Sequence, residues 1–189
     1  TAQGNSNKIT NSIIQILNVE GKSNTIGIKD SGPNLIYRKI VVKGDSNTIQ
    51  GNYVGTNKAG SATQTVISHS DPLIGIQASY NTIDNNLVAL LGGSHDGIEI
   101  GESAKYNTIK NNYVGIKPDG STAFATSGAN GIEINGSNAT NNTIENNIIG
   151  GNQVGVNVMD ANNNEVYDDG DSLDGYQPLS FLINGSLVY

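Results

Sequence analysis

The chain has 189 residues, a length that fits one domain, and no shift in composition divides it. It contains no cysteine, which excludes a disulfide framework and any thiolate metal site. The formal net charge is −7 and Arg38 is the single arginine, which excludes the clustered basic surface that nucleic acid or an anionic membrane would require.

The first four residues, Thr1-Ala2-Gln3-Gly4, carry neither an initiator Met nor an apolar leader core. Either a signal peptide has been removed or the sequence is part of a longer chain. No apolar run approaches the roughly 18 residues of a membrane span, so no membrane insertion is expected. Residues 1–15 show no amphipathic helix, being rich in Gly, Asn and Ser before running into alternating sequence.

One phrase then recurs along the chain: Asn24-Thr25-Ile26, Asn47-Thr48-Ile49, Asn81-Thr82-Ile83, Asn107-Thr108-Ile109 and Asn142-Thr143-Ile144, with a degenerate copy at Asn164-Glu165-Val166. Four copies extend over nine residues, as NTIQGNYVG (47–55), NTIDNNLVA (81–89), NTIKNNYVG (107–115) and NTIENNIIG (142–150). Their spacings are 23, 34, 26, 35 and 22 residues, which fits a basic repeat lengthened in alternate copies by inserted loops. A second phrase precedes the later copies, at Gly75-Ile76-Gln77-Ala78, Gly97-Ile98-Glu99-Ile100, Gly131-Ile132-Glu133-Ile134 and Gly155-Val156-Asn157-Val158.

Short strands of period two cannot bury an apolar face alone, but equivalent strands of successive repeats can close a hydrophobic column by stacking. Ile26, Ile49, Ile83, Ile109, Ile144 and Val166 are expected to form one column, and Val54, Val88, Val114 and Ile149 a second. Ile76, Ile98, Ile132 and Val156 are expected to form a third. Asn52, Asn86, Asn112 and Asn147 fall at the turn between two strands, where stacked amides can hydrogen-bond from repeat to repeat.

These phrases resemble the right-handed parallel β-helix repeat family, in particular the bacterial surface-type repeats built on N-T-I-x-x-N-x-V-G coils, over residues 5–167. The resemblance implies an all-β, right-handed parallel β-helix of about seven coils, a rod on the order of 30–35 Å long, in a secreted or cell-surface protein. The whole of 1–189 is expected to form that one domain, with 168–189 an acidic loop and a closing or pairing segment. Leucine-rich and propeller repeats fail on content, since neither a Leu consensus nor Gly-His and Trp-Asp signatures occur. The scaffold hosts enzymes, tailspikes, adhesins and structural arrays alike, so function has to be read from the sites.

Insertions at about 56–72 and 116–130 are expected on one side, flanking a groove over the shorter loop at 90–96. Below it an outward row of Gln77, Glu99, Glu133 and Asn157 would set Glu99 and Glu133 one strand spacing apart, where two carboxylates repel and one pKa rises. With Asp96 they form the candidate catalytic set of a polysaccharide lyase or hydrolase, or the ligands of a shared cation. The segment 94–101 is similar to the G-H-G-I-S-I-G stretch of polygalacturonases, but Asp96 stands where that stretch has glycine, and no N-T-D, Asp-Asp or R-I-K motif accompanies it. Arg38 lacks the acidic neighbours of a pectate-lyase centre, and Asp71-Pro72-Leu73 only begins like the D-P-H motif of alginate epimerases.

His69 and His95 fall in the groove loops, and Tyr80 and Tyr106 precede equivalent N-T-I phrases, where paired rings can stack on sugars. Tyr80, His95 and Tyr106 are therefore the candidate ligand-binding residues. Near the C-terminus Asp168, Asp169, Asp171 and Asp174 lie on a Gly-bearing loop, a spacing that suits calcium, the one cofactor the sequence suggests. The reading reached is a non-catalytic structural or adhesin-like module that assembles end to end, with a polysaccharide-active enzyme or a glycan-binding module as the alternative.

Overall fold

The computed structural model describes residues 1–29, 32–63, 71–89, 96–124, 130–136, 138–152, 154–159, 165–166, 182–183 and 186–188. Among these residues the chain is all-β, and no helix is long and apolar enough to cross a membrane. In chain order the strands are β1 (Lys8–Ile9), β2 (Ile13–Val19), β3 (Thr25–Ile26), β4 (Leu35–Val42), β5 (Thr48–Gln50), β6 (Tyr53–Val54), β7 (Ile74–Ile76), β8 (Thr82–Asp84), β9 (Leu87–Val88) and β10 (Ile98–Ile100). They continue with β11 (Thr108–Lys110), β12 (Tyr113–Val114), β13 (Asn130–Ile134), β14 (Thr143–Glu145), β15 (Ile148–Ile149), β16 (Val154–Met159), β17 (Glu165–Val166), β18 (Leu182–Ile183) and β19 (Ser186–Val188).

Every N-T-I phrase becomes a strand, and the strands β1, β3, β5, β8, β11 and β14 lie side by side as a parallel six-stranded sheet. A second, thirteen-stranded sheet has two parallel arms that meet on the long strand β4. Leu35 and Ile36 start the arm β6-β9-β12-β15, while residues 40–42 start the arm β7-β10-β13-β16. Three stacks of equivalent strands thus enclose one core, to which Ile26, Ile49, Ile83 and Ile109 contribute from one side, Val54, Val88 and Val114 from another, and Ile74, Ile98 and Ile132 from the third. All ten are fully buried.

Two asparagine ladders hold the repeats in step. In one, the side-chain amides of Asn34, Asn52, Asn86 and Asn112 each donate to the Oδ1 of the next asparagine, ending on Asn147, at 2.9–3.0 Å. The same amides also donate to the carbonyls of Ile9, Ile26, Ile49 and Ile83, so these buried groups are satisfied within the core. In the other ladder the backbone N–H groups of Asn7, Asn24, Asn47, Asn81 and Asn107 each donate to the Oδ1 of the next N-T-I asparagine at 2.8 Å. Apart from Pro33, the residue before each ladder asparagine adopts a left-handed turn, as at Asn85, Asn111 and Asn146, each with φ of 55°. Asparagine tolerates this region better than most side chains, which accounts for the doubled Asn-Asn in the repeat.

Two expected columns need correction. Ile98 pairs with Ile74 and Ile100 with Ile76, so the third column runs Ile40, Ile74, Ile98, Ile132, Val156, and Ile76 belongs to a fourth row beside it. Gly75, not Gln77, therefore stands beside Glu99. Val166 does not extend the Ile26 column, because β17 turns back and pairs antiparallel with β16, Val158 opposite Val166. β19 adds in parallel to β15, and β18 closes on β19 as an antiparallel pair.

Candidate functional site

The apolar-polar alternation of Ile98-Glu99-Ile100 and Ile132-Glu133-Ile134 turns both glutamates outward, and the in-register pairing of β10 with β13 makes them direct neighbours. Asp96 enters β10 just ahead of Gly97, and its Oδ1 accepts the N–H of Asn130 at 2.8 Å. Carboxylate oxygens of Asp96, Glu99 and Glu133 all lie within 4.8 Å of one another, with each residue half-buried.

Amides surround the acids. Glu133 Oε1 accepts from Asn130 Nδ2 at 3.1 Å and from Asn157 Nδ2 at 3.2 Å, while Asn135 bonds the Glu99 side chain. Burial, then the charge of Asp96 and a hydrogen bond with it, then the charge of Glu99, push the Glu133 carboxyl up to about 7 against the opposing bond from Asn157. Glu99 is also raised, by burial first and then by Asp96, with Asn135 working in the other direction. At neutral pH the site therefore holds a carboxyl poised to give or take a proton beside carboxylate oxygens that suit a hard cation.

On the preceding strand Gly75 offers no side chain, and Pro72 covers the place where one would stand. Beyond it Lys39 pairs with Asp71 at 2.6 Å. The sequence pointed to Asp96, Glu99 and Glu133, and the structure gathers these three. Asn157 stands beside Glu133 as the expected outward row had it, whereas Asn130, Asn135 and the Lys39–Asp71 pair were not singled out as neighbours of the acids. The one available signal was Asn130-Gly131-Ile132-Glu133, which repeats the frame of Asp96-Gly97-Ile98-Glu99.

Tyr80 and Tyr106 occupy the turns leading from β7 to β8 and from β10 to β11. Their rings stack with centroids 5.1 Å apart and planes 6° from parallel. His69 and His95, the acidic positions Asp168, Asp169, Asp171 and Asp174, and most of the 90–96 loop lie outside the described residues.

The two insertions each begin as a small hairpin, closed by bridges between Thr56 and Thr63 and between Ile116 and Ala123. They lie on the same side: a Cβ on Gly60 would fall 2.8 Å from Leu87 Cδ2 and 3.3 Å from Pro118 Cγ. Tyr53, Leu87 and Tyr113 form the outward row beneath them, and with Pro33 and Pro118 they line a shallow groove of about 410 Å³.

No protein-family model, curated protein or solved structure matches the chain.

Proposed function

We propose that the chain is a right-handed parallel β-helix of about seven coils acting as a rigid, non-catalytic, adhesin-like module of a secreted or cell-surface protein. The observation that supports this most is the continuity of the two asparagine ladders, which carry the same register through repeats of very different loop length. Such a spine is stiff along its length and fixes outward side chains at regular intervals, which suits presentation and spacing. End-to-end stacking of copies belongs to the same reading. Ile13, 69% exposed, and Ile16, 37% exposed, on β2 are the apolar residues that such a contact would cover.

Small-angle scattering combined with reducing-end assays on a polysaccharide panel tests the proposal. The expected result is an elongated particle, or multiples of it, with no new reducing ends. A compact particle that releases new ends from a polysaccharide would overturn it.

A second reading is a polysaccharide-cleaving enzyme, favoured by Glu133 at about 7 within reach of Asp96 and Glu99. Glu133 would protonate the glycosidic oxygen while a neighbouring carboxylate attacks the sugar or activates water. Glu133→Gln and Glu99→Gln should then abolish cleavage while leaving the fold intact.

A further inference from the structure

Tyrosine is an unexpected choice at positions 80 and 106. In the earlier repeats the residue before the N-T-I asparagine is Ser6, Ser23 or Ser46, with φ of 57°, 56° and 59°, and in a later one it is Asn141, with φ of 60°. Tyr80 and Tyr106 adopt the same left-handed turn, at 62° and 55°, although a bulky side chain gains nothing from that conformation. The rings are also not buried: Tyr80 is 59% exposed and Tyr106 49%. Each ring covers one face of the other, and the outer faces look toward small, exposed neighbours. Tyr80 lies one strand spacing from Ser46, whose N–H donates to the Ser79 carbonyl at 3.1 Å, and Tyr106 donates its N–H to the Thr140 carbonyl beside Asn141 at 3.3 Å.

Polar groups rim these two steps. Beside Ser46, Asp45 accepts the Ser79 N–H at 3.1 Å through Oδ1 and holds Lys22 at 3.1 Å through Oδ2. Thr140 and Asn141 offer a hydroxyl and an amide on the other side, with Asn141 Nδ2 donating to Thr140 Oγ1 at 3.3 Å. A flat apolar face with hydrogen-bonding groups at its edge matches a pyranose ring, whose C–H face packs on the aromatic ring while its hydroxyls turn to the rim. A net charge of −7 works against a polyanion.

We propose that Tyr80 and Tyr106 form a stacking site for a neutral glycan, with one sugar ring on the outer face of Tyr80 over Ser46 and another on the outer face of Tyr106 over Asn141. The proposal deepens the adhesin-like reading by naming the class of ligand, yet it fails separately, since particle shape tests the scaffold and ring contacts test the site.

The probes are neutral β-linked hexasaccharides of glucose, mannose and N-acetylglucosamine, with a uronic-acid oligomer as contrast, titrated into the full chain by NMR. At least one neutral oligosaccharide should receive saturation transfer from tyrosine ring protons. Its affinity should fall roughly tenfold or more in Tyr80→Ser and Tyr106→Ser, and should persist in Tyr80→Phe. Serine holds this same turn in three earlier repeats, so the serine variants should fold, which their far-ultraviolet CD and melting would verify. Saturation transfer to none of the neutral probes, unchanged affinity in the Tyr80→Ser, Tyr106→Ser double variant, or stronger binding of the uronic-acid oligomer would each overturn the proposal. So would binding that is lost in Glu99→Gln or Glu133→Gln but kept in the serine variants, since the ligand would then sit on the acids.

Discussion

Glu133 reaches neutral pH with much of its proton retained, because burial and the neighbouring Asp96 and Glu99 all disfavour a further negative charge. Its folded pKa, about 7, exceeds the ordinary glutamate value of 4.5, so between these values the folded state binds more protons than the unfolded one. Its contribution to stability is therefore fully present below about pH 4.5 and is lost as pH rises through 7. Thermal unfolding at pH 5 and pH 8 should show the protein less stable at the higher pH, with most of that difference removed in Glu133→Gln. A Gln variant that keeps the whole slope would place its origin elsewhere. The ladders offer a second residue-scale case. Asn112→Ala would leave two donors of Asn86, the Ile83 carbonyl and Asn147 Oδ1 each without this bond. At about 1–3 kcal/mol for a buried group left unsatisfied, a loss of at least about 3 kcal/mol is expected in chemical denaturation. Asn85→Gly, at the equivalent left-handed turn one repeat earlier, should be close to neutral.

At the scale of the strand, two glycines of the same arm play opposite parts. A Cβ on Gly97 would fall 2.4 Å from Val114 Cγ1 and 2.5 Å from the Gly131 carbonyl, so here the two arms of the large sheet approach too closely for any side chain. On Gly75 the nearest atom is Pro72 Cγ at 3.2 Å, a contact that a small shift relieves. Gly97→Ala should therefore lower the melting temperature clearly, and Gly75→Ala only slightly. The same strands show what could be read from the sequence. The Ile26 and Val54 columns were legible because both phrases recur as fixed words, with side chains that alternate inward and outward. The third column held from Ile98 through Ile132 to Val156 and was misplaced by two residues only at Ile76, where Ile74 stands instead. A shift of two preserves the inward-outward alternation, so the apolar pattern of Ile74-Gly75-Ile76-Gln77-Ala78 cannot distinguish the frames. Asp96, Glu99 and Glu133 were legible for a related reason, since equal positions in two phrases become neighbours once the strands pair. Asn157 was legible in the same way, as the next member of the outward row, but Asn130 was not, because its amide reaches Glu133 along β13 from just ahead of the Gly-Ile-Glu-Ile phrase. Val166 failed because Glu165 replaces the threonine and no N-x-V-G phrase follows to carry the chain into another parallel turn.

At the scale of the whole molecule, a stack in which each repeat touches mainly its neighbours should tolerate the loss of one unit. Deleting residues 81–106 joins Tyr80 to Asn107 and lets Asn47 and Asn52 meet Asn107 and Asn112 in place of Asn81 and Asn86. The shortened chain should keep a β-sheet CD spectrum and unfold cooperatively at a lower temperature. A chain that is unfolded or aggregated would show that the repeats are not interchangeable. The ladders also give the molecule a direction. In both of them every asparagine accepts at Oδ1 from the preceding repeat, and none of these bonds is reversed along the series. In the ladder from Asn34 to Asn147 the amide dipoles therefore align head to tail, and each polarises the next. A stack grown from such units has a donor end and an acceptor end. Copies meeting along this axis can extend the electrical order only when they point the same way, and an inverted copy would set like poles against each other.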